Sequence, residues 1–192
     1  AHSGKPFETN LAAIRDKHEK VLAGLGLTWA SIEPIWKKLT IALASKDRPY
    51  NEFLDDIFSF GERLSSFMLA SVLDKQGVPS HCVDVDELDI ITSDNFQDAS
   101  VLPETEDNVL CRFRDDERTL VAPGFVGRTK DGRTTTLGRG GSDYTAALVG
   151  AAFDVDEIQI WTDVSRMRST DPRVVPDAER LETISFDEAK EL

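Results

Sequence analysis

A strand-like run that passes through a cluster of glycines into a helix is the feature of this sequence that most restricts its fold. The segment TTTLGRGGSDYTAALVG, residues 134–150, opens with β-branched threonines and closes with an alanine-rich stretch. Its start predicts a strand over Thr134–Leu137, and Ser142 or Asp143 is expected to cap the helix that follows. Three glycines lie between strand and helix: Gly138, Gly140 and Gly141. The segment therefore predicts a strand–turn–helix unit of an α/β fold.

The glycine turn also has the chemistry of an anion-binding site. Residues without side chains let backbone N–H groups approach a ligand, and the N-terminus of a helix adds a favourable dipole. Arg139 adds a planar guanidinium that suits a carboxylate or a phosphate. The turn is not a P-loop, since no Lys-Ser or Lys-Thr pair follows it, nor a dinucleotide fingerprint, since Asp143 stands at the third glycine position. The alternative is a tight turn in which the glycines serve geometry only.

The rest of the chain alternates helical segments with short apolar runs. Helical spacing of apolar residues predicts helices over residues 8–26 with Gly26 as the stop, 29–45 with Pro34 in the first turn or at a kink, 58–77, and within 109–117. Short apolar runs predict strands at residues 80–85, 89–94, 118–130 (one or two strands) and 157–164, a hairpin turn at Lys130–Arg133 and a last helix from Ser185. This alternation predicts an α/β sandwich with a mainly parallel sheet in one domain.

Composition narrows the classes of partner. The net charge of −13 argues against non-specific binding to nucleic acid or to an anionic membrane surface, so an anionic ligand needs a local cationic site. The two cysteines fit no metal-ligand spacing and the three histidines are scattered, which makes a metal site built from these residues unexpected. The cysteines are interpreted as free thiols of a reducing cytosol, and no apolar run approaches the length of a membrane span.

Two further candidate sites are weaker when taken alone. In parallel α/β sheets ligands lie beyond the carboxyl ends of strands, where Thr162 and Asp163 are expected, and the Asp-Pro-Arg turn after them offers Arg173 as a cation for phosphate. The alternative for these residues is a strand, a cap and a solvated loop. Glu62 lies among apolar residues in FSFGERLSS, where its carboxylate can enter the core side and hold an amine. The alternative, a solvated side chain, is the more common one for a single glutamate on a helix.

Taken together, these motifs resemble aspartate kinase. The resemblance rests on FGERLSS, then GFVGRTKDGRTTTLGRGGSDYTAALVGAAF, IQIWTDV, TDPRVVPDA and ISFDEA, in that order along the chain. It is dense from Gly124 to the C-terminus and looser over residues 8–123.

The resemblance implies the amino-acid kinase fold, a three-layer α/β/α sandwich with a mainly parallel sheet, here as a single, incomplete catalytic domain over residues 1–192. It implies transfer of the γ-phosphoryl group of Mg-ATP to the side-chain carboxylate of L-aspartate, the first step towards lysine, threonine and methionine. The protein is expected to be cytoplasmic, with L-aspartate and ATP as ligands, ATP and Mg²⁺ as cofactors and no nucleic-acid or membrane partner. The intact enzyme is expected to be a homo-oligomer.

The same resemblance assigns residue roles. On the acceptor side, Arg139 binds the α-carboxylate of aspartate, Glu62 takes the α-amino group and Phe125 lines the pocket. Ser142 and Asp143 stand where the family positions the reacting groups. The positions matching nucleotide contacts are Thr162, Asp163, Arg168, Arg173, Gly140 and Gly141.

The sequence also departs from the family. The lysine-bearing KFGGTS segment and the regulatory ACT domains are absent, Arg168 stands where a tyrosine is common, and Arg166 replaces a glycine. These 192 residues alone are therefore expected to bind ATP weakly and turn over little. Three alternatives stay open: a kinase for glutamate or acetylglutamate, a non-catalytic module with a structural or regulatory role, and a parent fused to homoserine dehydrogenase.

Overall fold

The computed structural model describes residues 7–45, 47–161, 169–170, 174–179, 181 and 183–185. The chain divides into two units, Ala1–Ile158 and Gln159–Leu192. All helices and strands of the described residues lie in the first unit. In the second, Ser169 and Glu179 are joined by two hydrogen bonds, one between backbones at 3.0 Å and one from the Glu179 N–H to the Ser169 hydroxyl at 3.1 Å.

Three long helices form the N-terminal part of the first unit: α1 (Glu8–Leu25), α2 (Trp29–Ala44) and α3 (Tyr50–Lys75). The prediction for α1 is confirmed, with Gly26 in the left-handed region at φ 66° closing the helix. Pro34 lies inside α2, beyond its first turn. The predicted start of α3 at residue 58 is wrong, because the helix begins directly after Pro49. Its first two turns already carry Phe53, Leu54 and Ile57 at helical spacing.

The three helices enclose one hydrophobic core. Its buried members come from all three, namely Leu22, Ile32, Trp36, Leu39, Ala42, Leu43, Phe53, Phe60 and Leu64. The opposite face of α3 carries buried polar residues, namely Asp55, Ser59, Arg63 and Ser66. On this side α3 packs against strands, and Asp55 accepts hydrogen bonds from Thr136 of one of them.

The second half of the first unit is a mixed α/β region. Its strands are β1 (Ser80–Cys82), β2 (Ile91–Thr92), β3 (Thr119–Val121), β4 (Val126–Thr129) and β5 (Thr134–Thr136). Its helices are α4 (Val85–Leu88), α5 (Thr105–Phe113) and α6 (Gly141–Ala152). A second core of Val83, Leu88, Ile90, Val109, Phe113 and Leu148 joins the strands to these helices.

The strands form two small sheets in place of one large parallel sheet. Strand β1 pairs with β3 in parallel, and a three-stranded sheet has the order β2-β4-β5. Within it β2 and β4 are parallel, whereas β4 and β5 are antiparallel. The α/β class is thus confirmed, with sheets smaller and more mixed than expected.

The turn residues of the sequence predict the hairpin correctly, but the apolar runs predict strands that are longer than the observed ones. The turn at Lys130–Arg133 is confirmed, with Gly132 at φ 85° and its N–H donating to the Thr129 carbonyl at 2.9 Å. The strands predicted over 80–85 and 89–94 are shorter, because Asp84 accepts a hydrogen bond from the Val85 N–H and starts helix α4 between them. The helical segment predicted within 109–117 ends at Phe113.

The strand predicted over 157–164 is wrong for its described part. Residues 157–161 belong to no strand, and Trp161 is 88% exposed. A strand needs a hydrogen-bonded neighbour, and no described residue pairs with this run in a ladder. Residues 162–164 and the predicted last helix after Ser185 lie outside the described residues. None of the helices in the described part of the chain is long and apolar enough to span a bilayer.

Close packing in the three-stranded sheet yields a first prediction. A Cβ atom at Gly127 would lie 2.9 Å from the Ile90 carbonyl oxygen and 2.6 Å from Thr92 Cγ2. We expect Gly127→Ala to lower the free energy of unfolding by about 1–3 kcal/mol, since the backbone of β2 cannot move aside freely. Urea unfolding followed by circular dichroism measures the change.

The matched control is Gly24→Ala in α1, where a new Cβ meets no atom within 4 Å. This substitution should leave stability unchanged or raise it by up to about 1 kcal/mol. Equal effects of the two substitutions would contradict the packing described for β4.

Candidate functional site

The glycine turn is held in a left-handed geometry that only glycine adopts without strain. Gly138 has φ 73° and Gly140 has φ 71°, and helix α6 begins at Gly141. The prediction that Ser142 or Asp143 caps α6 is wrong, because Gly140 occupies the N-cap position and no side chain caps the helix. Both residues lie in the first helical turn, exposed.

The uncapped start of α6 leaves backbone donors for a ligand. The first N–H groups of a helix have no partner within it, and its dipole favours an anion at that end. At Gly140 an added Cβ would meet no atom within 4 Å, so the space in front of the turn is open. An uncapped helix start with open space beside it can receive an anion, and anion binding at this turn stays a prediction.

Phe125 packs directly on this turn. A Cβ atom on Gly141 would lie 2.9 Å from Phe125 Cδ2 and 3.2 Å from Phe125 Cα, so no larger residue fits there. Phe125 itself has φ 68°, a conformation that costs a non-glycine residue on the order of 1–3 kcal/mol. The strained phenylalanine and the required glycine therefore fix each other's positions.

Hydrogen bonds hold Phe125 in this conformation. The Phe125 N–H donates to the Thr145 hydroxyl at 3.1 Å, and that hydroxyl donates to the Gly141 carbonyl at 2.8 Å. The Leu137 N–H donates to the Phe125 carbonyl at 2.9 Å. One threonine of α6 thus ties the phenylalanine to the first residue of the same helix.

A pocket of about 400 Å³ opens beside the turn. It is lined by Phe58, Gln97, Phe125, Thr136, Gly138 and Arg139. Two of the predicted acceptor residues, Phe125 and Arg139, are therefore brought together by β4, β5 and the turn. Aromatic walls with a few polar groups are typical of a small-molecule site.

Arg139 supplies the positive charge of this pocket. Its side chain is exposed, and it makes no ion pair with any residue that the structure describes. A guanidinium without an internal carboxylate partner is available for a ligand carboxylate, which it can bind with two hydrogen bonds. The chain as a whole has a net charge of −13, so this arginine is what makes the charge at the pocket locally positive.

Glu62 does not line the pocket but lies on the helix face that carries Phe58, which does. It stands on α3 one turn after Phe58, half-buried, and burial raises the pKa of its carboxyl. Its carboxylate has no hydrogen-bond partner among the described side chains and backbone groups. Glu62 is thus placed to accept a cationic group at the helix face that carries Phe58.

The predicted nucleotide residues fall into two groups. Thr162, Asp163, Arg168 and Arg173 lie outside the described residues, as does Arg166. Gly140 and Gly141 lie at the start of α6, as expected from the sequence. Within the described ranges no group of three or more His, Cys, Asp or Glu residues is arranged to hold a metal ion.

Sequence reasoning missed residues that complete the pocket. Phe58, Gln97 and Thr136 line it, and the buried Asp55 bonds to the last two. Asp55, Phe58 and Glu62 follow one another at spacings of three and four, which places them on one face of α3. That spacing is the signal present in the sequence, and a helix that begins at residue 58 leaves Asp55 out of it.

Comparison with known proteins agrees with the motifs. Residues 1–192 match the sequence model of the amino acid kinase family. An aspartate kinase of Pseudomonas putida is 38% identical over 154 residues, which are 80% of this chain and 37% of that protein. The lysine-sensitive aspartokinase 3 of Escherichia coli is 36% identical over 197 residues, covering 98% of this chain and 43% of that protein. The chain thus spans about two fifths of these relatives' length.

Solved structures give the same result for the fold. The structure of E. coli aspartokinase III in complex with aspartate and ADP matches with a TM-score of 0.84 and 33% identity, over 97% of this chain and 44% of that one. The structure of Clostridium acetobutylicum aspartate kinase matches with a TM-score of 0.76 and 25% identity, over 99% of this chain and 40% of that one. The resemblance to aspartate kinases is confirmed.

The hydrogen bonds of Thr145 yield a second prediction. Thr145→Val keeps the shape of the side chain but leaves the Phe125 N–H without its acceptor. We expect a loss of about 1–3 kcal/mol in the free energy of unfolding, the usual effect of an unsatisfied buried donor. Thr145→Ser keeps the hydroxyl and should lose less than half as much in the same unfolding experiment. If Val were tolerated better than Ser, the hydroxyl would not be what holds Phe125.

Proposed function

Because the chain belongs to the amino acid kinase family, we propose that the protein is an aspartate kinase, which transfers the γ-phosphoryl group of ATP to the side-chain carboxylate of L-aspartate. The observation that carries this proposal is the guanidinium of Arg139, which forms no ion pair with any described residue. It lies at a pocket beside a helix N-terminus. The matching E. coli aspartokinase III holds aspartate and ADP together.

The acceptor is assigned to the pocket. Arg139 binds the α-carboxylate in a bidentate pair, and the half-buried Glu62 takes the α-amino group. Phe125 and Phe58 form apolar walls against the short carbon chain of the amino acid. A cation and an anion separated in this way select an α-amino acid and leave its side-chain carboxylate to react.

The donor is assigned to the far side of the turn. The Gly140–Gly141 turn and the N–H groups that follow it in the first turn of α6 suit the phosphates of ATP, since no side chain caps them. The motif residues Thr162, Asp163, Arg168 and Arg173 complete the nucleotide site in this proposal. Mg²⁺ would be carried by the phosphates, since the described residues offer no cage for it and Mg²⁺ in kinases is held largely by substrate phosphates.

The reaction needs alignment more than covalent help from the protein. An oxygen of the aspartate side chain attacks the γ-phosphorus, and the bond from that phosphorus to the bridging oxygen breaks to release ADP. Both partners are anions, so the protein must neutralise and orient them. Arg139 and the backbone donors of α6 do this from one turn, while Ser142 and Asp143 stand at the meeting point of the two ligands.

We further propose that residues 1–192 belong to a single catalytic domain, a three-layer α/β/α sandwich, in a homo-oligomeric enzyme. Its product, an acyl phosphate of aspartate, would enter the synthesis of lysine, threonine and methionine. The known relatives are about twice as long as this chain. Experiments on activity therefore use the full-length gene product.

Arg139 is tested first by calorimetric titration of L-aspartate, with L-glutamate as the control ligand. We expect aspartate-selective binding in the wild type and an approximately 10- to 100-fold weaker Kd in Arg139→Ala, since hydrogen bonds to a charged group contribute about 1.5–3 kcal/mol. Arg139→Lys should fall in between, because it keeps the charge and loses the fork.

Arg114→Ala, which removes an exposed arginine after α5, is the control and should bind like the wild type. Equal affinity for glutamate and aspartate would contradict the assigned substrate. Unchanged binding by Arg139→Ala would contradict the assigned acceptor site.

Glu62 gives a prediction about pH. Its carboxyl has a raised pKa because it is buried, so it takes up a proton at a higher pH than an ordinary glutamate. Aspartate affinity should be full above the raised pKa and fall as the pH drops through it, since the protonated carboxyl no longer attracts the ammonium group. Titrations between about pH 8 and about pH 5 measure this.

Glu62→Gln should bind aspartate about 10- to 100-fold more weakly at high pH and lose this pH dependence. Glu106→Gln, on the exposed face of α5, should keep the wild-type profile. A Glu62→Gln profile that still falls with the wild-type midpoint would assign the titration to another group.

A further inference from the structure

Asp55 is a buried carboxylate that joins three segments of the chain. It is fully inaccessible to solvent on α3. Its Oδ2 accepts hydrogen bonds from the Gln97 N–H at 2.8 Å and the Thr136 N–H at 2.9 Å, and its Oδ1 accepts one from the Thr136 hydroxyl at 2.9 Å. A helix, a loop and the end of strand β5 therefore meet at one side chain.

No lysine or arginine of the described residues pairs with this carboxylate. Burial raises the pKa of Asp55, and the three donors oppose that rise. Burying a carboxylate is unfavourable unless its oxygens are well satisfied. An apolar residue at this position would leave the N–H groups of Gln97 and Thr136 without their acceptor, so the contacts that the carboxylate makes offset its burial.

Both partners of Asp55 belong to the wall of the pocket. Gln97 and Thr136 line it, and Thr136 is three residues before Arg139. The same two segments meet again where the Ala99 N–H donates to the Thr136 carbonyl at 2.9 Å. Asp55 thus sets the separation between the loop on one side of the pocket and the strand that leads to the arginine.

The backbone of Gln97 shows why an anchor is needed there. Gln97 has φ 73°, which a non-glycine residue keeps only when its surroundings impose it. The N–H of Gln97 donates one of the hydrogen bonds that Asp55 accepts. Close by, a Cβ on Gly138 would lie 2.8 Å from Asp98 Oδ1, so the loop also rests directly on the glycine turn. A shift of the loop would change the shape of the pocket mouth.

We propose that Asp55 is a positioning residue for the amino-acid acceptor: it sets the geometry of Gln97 and of the turn that carries Arg139 without touching the ligand. This inference rests on the proposed function of the pocket. It concerns the acceptor and not the nucleotide, because both residues that donate to Asp55 line the acceptor pocket.

The chemistry of the contacts supplies a conservative variant. In Asp55→Asn, the amide oxygen can replace Oδ2 and accept both N–H groups, while the amide nitrogen donates to the Thr136 hydroxyl, which accepts equally well. All three contacts survive without the charge. In Asp55→Ala, all three are lost.

The test compares these two variants with Leu64→Ala in the full-length protein. Leu64 lies on the same helix, buried in the helical core and outside the pocket, so its truncation controls for loss of stability. The KM values for L-aspartate and for ATP are measured by trapping the acyl phosphate with hydroxylamine, at a temperature where all variants are folded by circular dichroism.

We expect Asp55→Ala to raise the KM for aspartate about 10- to 100-fold, the scale of a displacement of about 1 Å, and to change the KM for ATP less than about threefold. Asp55→Asn should stay within about threefold of the wild type for both. Leu64→Ala should lower the melting temperature with both KM values retained. An Asp55→Ala variant whose two KM values rise together, or not at all, would overturn the proposal.

Failure of the proposed function has a different signature. In that case the wild type itself produces no acyl phosphate from aspartate, and amide hydrogen exchange decides the role of Asp55. Faster exchange at Gln97 and Thr136 in Asp55→Ala, with wild-type exchange there in Asp55→Asn and Leu64→Ala, would support positioning of the pocket wall. Unchanged exchange in Asp55→Ala would overturn it.

Discussion

The contact between the ring of Phe125 and the backbone of Gly141 is the constraint on which the rest of the site depends. No side chain fits at position 141 beneath that ring, and Phe125 keeps a left-handed backbone to cover it. The hydroxyl of Thr145 bonds to both residues and removes the freedom either would have alone. Strain at one residue is thus held by packing and hydrogen bonds at its neighbours, as is common where a protein must present a rigid site.

The consequence is a rigid turn that presents charge in a defined direction. Arg139 stands on a turn whose ends are fixed by β5 and by α6, so the backbone that carries its guanidinium needs little ordering when a carboxylate arrives. The same turn starts a helix with no side-chain cap, where the proposed function puts a second anion. An acidic protein can therefore hold two anions side by side, because the positive groups are local while the net negative charge is spread over the whole surface.

The sequence alone predicted the features that depend on neighbouring residues and missed those that depend on distant ones. Gly26, Gly132 and the glycine turn were identified because each needs a positive φ within a few residues. The roles of Asp55 and Gln97 depend on contacts across 42 residues of chain, and no local pattern reveals them. The run at 157–161 has the composition of a strand, but a strand is defined by its partner, which composition cannot supply. The cap of α6 was misassigned because serine and aspartate favour N-caps in general, whereas this turn requires glycine there.

A crystal structure of the full-length protein with L-aspartate and a non-hydrolysable ATP analogue tests the central claim most directly. The account predicts the α-carboxylate of aspartate within about 3 Å of two nitrogens of Arg139, against the ring of Phe125, with the side-chain carboxylate directed at the γ-phosphate at the start of α6. Aspartate bound elsewhere, or a phosphate group paired with Arg139 in its place, would contradict it.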